Sequence, residues 1–211
     1  MSVVMAARAS SSRTQLERSH ATTTELVSAA RSLFATAGYA ETSLDAVVEQ
    51  TGVTKGALYH HFRSKRELFA AVYDREQRTL ADLIVTASLP RRDPLERFHA
   101  GCQAFFEGSL DPGAQRITLI DAPGVLGWER MRDIEGKYAR VLLRDGLTAA
   151  METGRLQERD VEALVHLLLG AMCEAAMMVA RSANPTREAR RCLRELRALI
   201  DGISIGGAAS D

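Results

Sequence analysis

The stretch from Thr42 to Phe62, TSLDAVVEQTGVTKGALYHHF, constrains this chain most, because it reads as two short helices joined by a tight turn. Leu44, Val47 and Val48 recur at helical spacing, and Thr42 followed by Asp45 has the T-x-x-D form of a capping box. Gly52 ends that helix, since a residue without Cβ takes positive φ just past a last turn at no steric penalty, and Val53 then folds back onto a core. Thr54 is placed to cap the second helix. Ala57, Leu58 and Phe62 of that helix point inward, which leaves Lys55, Gly56, Tyr59, His60 and His61 outward or along the edge.

The outward face has a charge bias. Between Thr51 and Arg66 there is no Asp or Glu, while Lys55, Arg63, Lys65 and Arg66 are cationic. Such a surface neutralises phosphates and releases counterions. N–H groups at the start of the second helix, around Lys55 and Gly56, suit a phosphate, and Tyr59 and His60 suit the backbone or base edges of a DNA major groove. On the turn alone, a solvated basic face on an ordinary helix pair fits equally well.

The surrounding residues decide between these readings. From Thr24 to Leu80 the chain resembles the amino-terminal DNA-binding domain of the TetR family of transcriptional regulators, through ELVSAARSLFATAGYAETSLDAVVEQTGVTKGALYHHFRSKRELFAAV. The resemblance implies that Thr42, Thr54, Lys55, Gly56, Tyr59, His60 and Lys65 occupy positions that touch DNA in the family. Arg66 departs from the pattern, where an acidic residue is frequent. A second segment, ITLIDAPGVLGWERMRDIE, resembles a recurrent carboxy-terminal version of the same family.

The chain has 211 residues, 46% of them hydrophobic, enough for a substantial core in one domain or two small ones. Its formal net charge of zero means that any nucleic-acid surface is local. Cys102, Cys173 and Cys192 lie far apart with no C-x-x-C pair, which argues against a disulfide framework or a structural zinc site and fits a reducing, cytoplasmic location. No membrane span is expected, because the most apolar stretch, Val161 to Ala180, is interrupted by His166 and Glu174 and reads as a buried helix.

The expected fold is all-α. Residues 1–20, rich in Ser, Ala and Arg, read as a mobile arm whose Arg8, Arg13 or Arg18 suit a minor groove if the arm is not simply disordered. Residues 21–67 form a helix-turn-helix domain, opened by a helix from Thr22 to Ala37 with Leu26, Ala29, Ala30, Leu33 and Phe34 on its apolar face and closed by Gly38. Ser64 and Glu67 form an S-x-x-E capping box at the head of a connecting helix, 64–88. Residues 68–205 form a helical ligand-binding and dimerisation domain, and 206–211 a tail.

Within that second domain, Asp93 to Gly108 is predicted helical, loops follow, and one helix is predicted from about Leu126 to Thr153. Gly136 and Gly146 inside it each cost roughly 1 kcal/mol relative to alanine and point to close packing or a bend. The last two helices run from about Asp160 to Ser182 and Thr186 to Ile203. The first is apolar nearly all round and needs two partners, which an isologous homodimer through the last two helices supplies. Such a dimer sets two reading helices roughly 34 Å apart on double-stranded DNA and predicts a palindromic operator.

For a small-molecule effector, Phe98, His99, Cys102, Phe105, Trp128, Met131, Tyr138, Met172 and Glu174 are the candidates, converging from three helices as an apolar cavity with a few polar groups. Simple core is the competing role for the aromatics and methionines. Glu174 needs a cation, donors or water in an otherwise apolar helix. No cofactor or metal is expected, since His99 and Cys102 at i, i+3 do not make a zinc site. The reading is a ligand-responsive regulator, with repression relieved by a small apolar or amphipathic ligand. Two rivals are a helical enzyme converting a small molecule, for which no G-x-S-x-G, P-loop, H-E-x-x-H or dinucleotide fingerprint is present, and a helical protein-interaction scaffold.

Overall fold

A computed structural model describes the backbone of residues 2–205 and the side chains from Glu17 to Ile205. Arg8 and Arg13 of the expected arm and the expected tail at 206–211 lie outside the described side chains. Among the described residues every regular element is helical, and the only β pairing is an isolated antiparallel bridge between Leu156 and Ser204. The chain divides into two compact units, Met1–Val72 and Tyr73–Asp211.

The first unit holds α1 (Ser2–Glu41), α2 (Leu44–Thr51), α3 (Lys55–His61) and the start of α4 (Lys65–Ser88). Gly38 interrupts α1 with φ 84°, where the sequence placed the helix end. Leu26, Ala30 and Phe34 of α1, Val47 of α2, Leu58 of α3 and Leu68, Phe69 and Val72 of α4 are buried together as the core. Phe34, Tyr39 and Phe69 form a ring cluster, with both contacts to Phe69 edge-on at 5.1 Å between centroids.

Two caps differ from expectation by a detail of side-chain direction. The α2 cap is Ser43, whose hydroxyl accepts from Ala46 N–H at 3.0 Å, not Thr42. Thr42 instead turns inward and donates to the Gly38 carbonyl at 2.8 Å, satisfying a group orphaned by the kink. At α4, Glu67 N–H donates to Ser64 Oγ, while the Glu67 carboxylate accepts from Arg63 N–H rather than from Ser64. The Gly52 C-cap (φ 68°) and the Thr54 N-cap, which accepts from Ala57 N–H at 3.2 Å, are as the sequence predicts.

The second unit contains the rest of α4, α5 (Pro94–Gly108), α6 (Pro112–Gln115), a π-helical turn (Arg116–Asp121), α7 (Ala122–Leu126), α8 (Trp128–Glu135), α9 (Ala139–Glu152), α10 (Val161–Arg181) and α11 (Pro185–Asp201). The loops expected after α5 are therefore mostly helical, because Pro112 and Pro123 sit in first turns, where proline's missing N–H costs nothing. The single helix expected from Leu126 to Thr153 is broken twice. Gly127 takes φ 77°, and Tyr138, at φ −126° and ψ −95°, stands outside helical geometry between α8 and α9. The core is built from α5, α9, α10 and α11, around Phe98, Phe106, Leu147, Val165, Met172 and Ile200.

Candidate functional site

In the first unit, the seven residues of α3 present an outward face that matches the amphipathic reading. Leu58 is fully buried, whereas Tyr59 is 47% exposed and Lys55, Gly56 and His60 are exposed. A Cβ at Gly56 would meet nothing within 4 Å, so the backbone there is open to approach. Lys55 Nζ lies 2.7 Å from Asp45 Oδ1, with both groups largely exposed, and that hydrogen bond followed by its Coulombic attraction raises the lysine's pKa. A solvated pair of this kind is weak and readily exchanged for a phosphate.

Not every predicted contact residue faces out. Thr42 is only 4% exposed and its hydroxyl is engaged as described. Lys65 is half-buried. Its ammonium donates to the carbonyls of Ala40 at 3.1 Å and Thr42 at 2.7 Å and lies 4.3 Å from the centre of the Tyr39 ring. It thus closes the chain between α1 and α2, a role its position in a basic run did not reveal. His61 is held against α1, its Nδ1 3.1 Å from Thr23 Oγ1.

In the second unit, α4, α5, α9 and α10 line a half-open cavity of about 370 Å³. Of the nine residues proposed for a ligand, Phe98, Cys102, Phe105 and Met172 line it. Burial pushes the Cys102 thiol up to about 12, so it stays protonated and behaves as a small hydrophobe. Sequence reasoning missed Ile84, Leu89, Leu142, Leu143 and Leu169 from the wall, and Arg97 and Asp145 from the rim. Two glycines marked the approaches. A Cβ at Gly146 would lie 3.1 Å from Phe98, and one at Gly101 3.3 Å from Ile84, so α9 and α4 come close to α5.

The other five candidates lie outside the lining. His99 Nε2 pairs with Asp201 at 2.9 Å. Trp128 is 69% exposed, with the Arg132 guanidinium 4.0 Å above its ring, and Met131 is half-buried. The Tyr138 hydroxyl donates to Asp74 at 2.9 Å, and Glu174 is exposed, so water satisfies its carboxylate. A buried polar pair escaped prediction. The Tyr73 hydroxyl donates to Glu135 at 2.8 Å, Arg132 lies 3.3 Å from the other carboxylate oxygen, and burial is the leading cause that raises the Tyr73 pKa.

Comparison with known proteins agrees with both halves. Residues 26–72 match the model for bacterial regulatory proteins of the tetR family, and 95–203 match that for a tetracyclin repressor-like C-terminal domain. The Transposon Tn10 TetC protein of Escherichia coli is 26% identical over 156 residues, covering 74% of this chain and 79% of TetC. The HTH-type transcriptional activator FasR of Mycolicibacterium smegmatis is 35% identical over 96 residues, 46% of this chain and 43% of FasR. The crystal structure of a TetR-family transcriptional regulator from Pectobacterium atrosepticum is 30% identical with a TM-score of 0.77, covering 90% of this chain and 97% of that one. The chain belongs to the TetR family of bacterial transcriptional regulators, DNA-binding proteins that respond to ligands.

Proposed function

We propose that the protein is a homodimeric repressor that binds a palindromic operator through α3 and is released when a small apolar or amphipathic molecule enters the cavity. The observation that carries this reading is the exposed face of α3, a helix with no acidic residue of its own, with Tyr59 and His60 outward and Leu58 as its anchor. Thr54, Lys55, Gly56, Tyr59 and His60 are the proposed DNA contacts. The linkage is a difference in affinity: the ligand favours one dimer geometry, DNA the other, and a ligand equally good for both has no effect. Because α4 supplies residues to both units, it is the proposed route of coupling. Action in the compartment that holds the DNA, the cytoplasm of a bacterium, follows from the same reading.

The test is selection of bound sequences from random duplex DNA, followed by affinity as a function of salt. One enriched palindrome, with an affinity that falls steeply as salt rises, is the expected result. Tyr59→Ala and Lys55→Ala are expected to weaken binding by about 1–3 kcal/mol for a base-edge contact and less for a phosphate contact, with dimerisation intact. Unchanged affinity in both variants would remove α3 from the interface.

A further inference from the structure

We propose that the effector is a monoanionic amphiphile, a carboxylic acid with an unbranched or cyclic hydrocarbon body. The body fills the cavity and the carboxylate meets Arg97 at its rim. This proposal rests on the cavity being the effector site and sharpens that reading into a ligand class.

The wall leaves little choice about the body. Ile84, Phe98, Phe105, Leu143, Leu169 and Met172 offer no hydrogen bond, so a buried polar group on the ligand would lose its water without compensation. The two polar side chains of the wall do not change this. The Ser88 hydroxyl donates to the Ile84 carbonyl of its own helix at 2.7 Å, and the Cys102 thiol is a weak donor at most. At about 30 Å³ per water-sized group, a 370 Å³ space takes on the order of a dozen heavy atoms.

The rim sets the head. Arg97 Nε donates to the Arg91 carbonyl at 2.6 Å, which orients the guanidinium and leaves its two terminal nitrogens without a partner among the described residues. A planar pair of donors held in this way matches the two oxygens of a carboxylate. Asp93, at the head of α5, is already paired with Arg155 and does not compete for Arg97. Asp145, exposed and without an ion-pair partner among the described residues, lies on the opposing helix α9. With Arg97 as the cation of the lining and Asp145 already contributing a carboxylate to it, a second negative charge on the ligand is penalised, so a monoanion is favoured over a dianion such as a phosphate monoester.

Calorimetric titration of the protein with decanoate, decan-1-ol, decyl phosphate and decyltrimethylammonium tests the assignment. Decanoate is expected to bind tightest. Arg97→Gln is expected to weaken decanoate by about tenfold or more while leaving decan-1-ol unchanged, the loss of a charge-assisted contact. Asp145→Asn is expected to improve decyl phosphate. Decan-1-ol or the cation binding as tightly as decanoate, or decanoate binding Arg97→Gln undiminished, would overturn the choice of head while the cavity stands. Ala149→Trp, which fills the space and whose fold is checked by circular dichroism, is expected to abolish binding of all the compounds. If none of the four binds the parent protein, or if Ala149→Trp binds them unchanged, the cavity itself is not the effector site.

Discussion

Lys65 is the residue whose sequence context and structural role diverge most. Its position in a basic run fits a phosphate contact, yet its ammonium serves two backbone carbonyls and a tyrosine face. Lys65→Met is therefore expected to lower the unfolding free energy by about 1–3 kcal/mol, the cost of leaving partly buried carbonyls without a donor. Lys55→Ala, in a largely exposed pair with Asp45, is expected to leave it nearly unchanged. Chemical denaturation of the two variants separates them, and equal stabilities would mean that Lys65 is a surface charge like its neighbours. Why the sequence misplaced Thr42 is similar: T-S-L-D offers two adjacent hydroxyls, and only the Gly38 kink decides which turns in and which caps α2. Cysteine chemistry also resolves at this scale. Burial pushes the Cys102 thiol up to about 12 and the Cys173 thiol up to about 11, so both carry little thiolate at pH 8, and iodoacetamide labelling followed by mass spectrometry is expected to be slow at both. Rapid labelling of Cys102 in the native state would contradict a buried, protonated thiol.

Helices were legible where a periodic face coincided with a chemical stop. The limits of α2, α3, α5, α10 and α11 follow from Gly52, Thr54, Asp93, Asp160 and Asn184, all of which take the capping or stop role that their residue type favours. The region from Pro112 to Tyr138 was not legible. Proline reads as loop punctuation unless its place in a first turn is known, and the break before α9 starts at the Gly136 C-cap of α8, a glycine that the sequence reads only as close packing or a bend inside one long helix. That break is held by tertiary bonds: the Tyr138 hydroxyl and Lys137 both reach Asp74 of α4, the residue next to Tyr73, whose hydroxyl bonds Glu135 of α8. Such partners come from sequence separations of about sixty residues, beyond any local pattern. Tyr73→Phe keeps the ring and removes the donor to a nearly buried carboxylate. It is expected to cost about 1–3 kcal/mol in chemical denaturation, more than the phenol's hydrogen bond alone, because Glu135 loses its shortest partner. A change within about 0.5 kcal/mol would mean that water replaces the hydroxyl freely.

For the whole molecule, the question is what covers α10. This helix is long and apolar enough to cross a membrane by composition, but only 33% of its most apolar stretch is buried within the chain. Val165, Leu168, Leu169 and Met172 enter the core, while Leu167 is 70% exposed and Met178 44%, with Gly170 and Ala171 between them, and Leu199 on α11 is 68% exposed. Small residues flanked by large apolar ones let two helices approach closely. In the proposed two-fold arrangement each substitution occurs twice across the axis, so Leu167→Glu sets two carboxylates against an apolar contact and is expected to give monomers in sedimentation velocity. Ile120→Glu, at another exposed apolar position, is the control expected to leave the dimer intact. Operator binding then follows from geometry: once the reading helices are no longer joined, the second half-site loses its high effective concentration, and affinity for the palindrome falls by about 10²–10⁴-fold with α3 itself unaltered. A Leu167→Glu protein that remains dimeric would mean that the protomers meet elsewhere, and a monomer with undiminished palindrome affinity would mean that dimerisation on this face is not what sets the operator's symmetry.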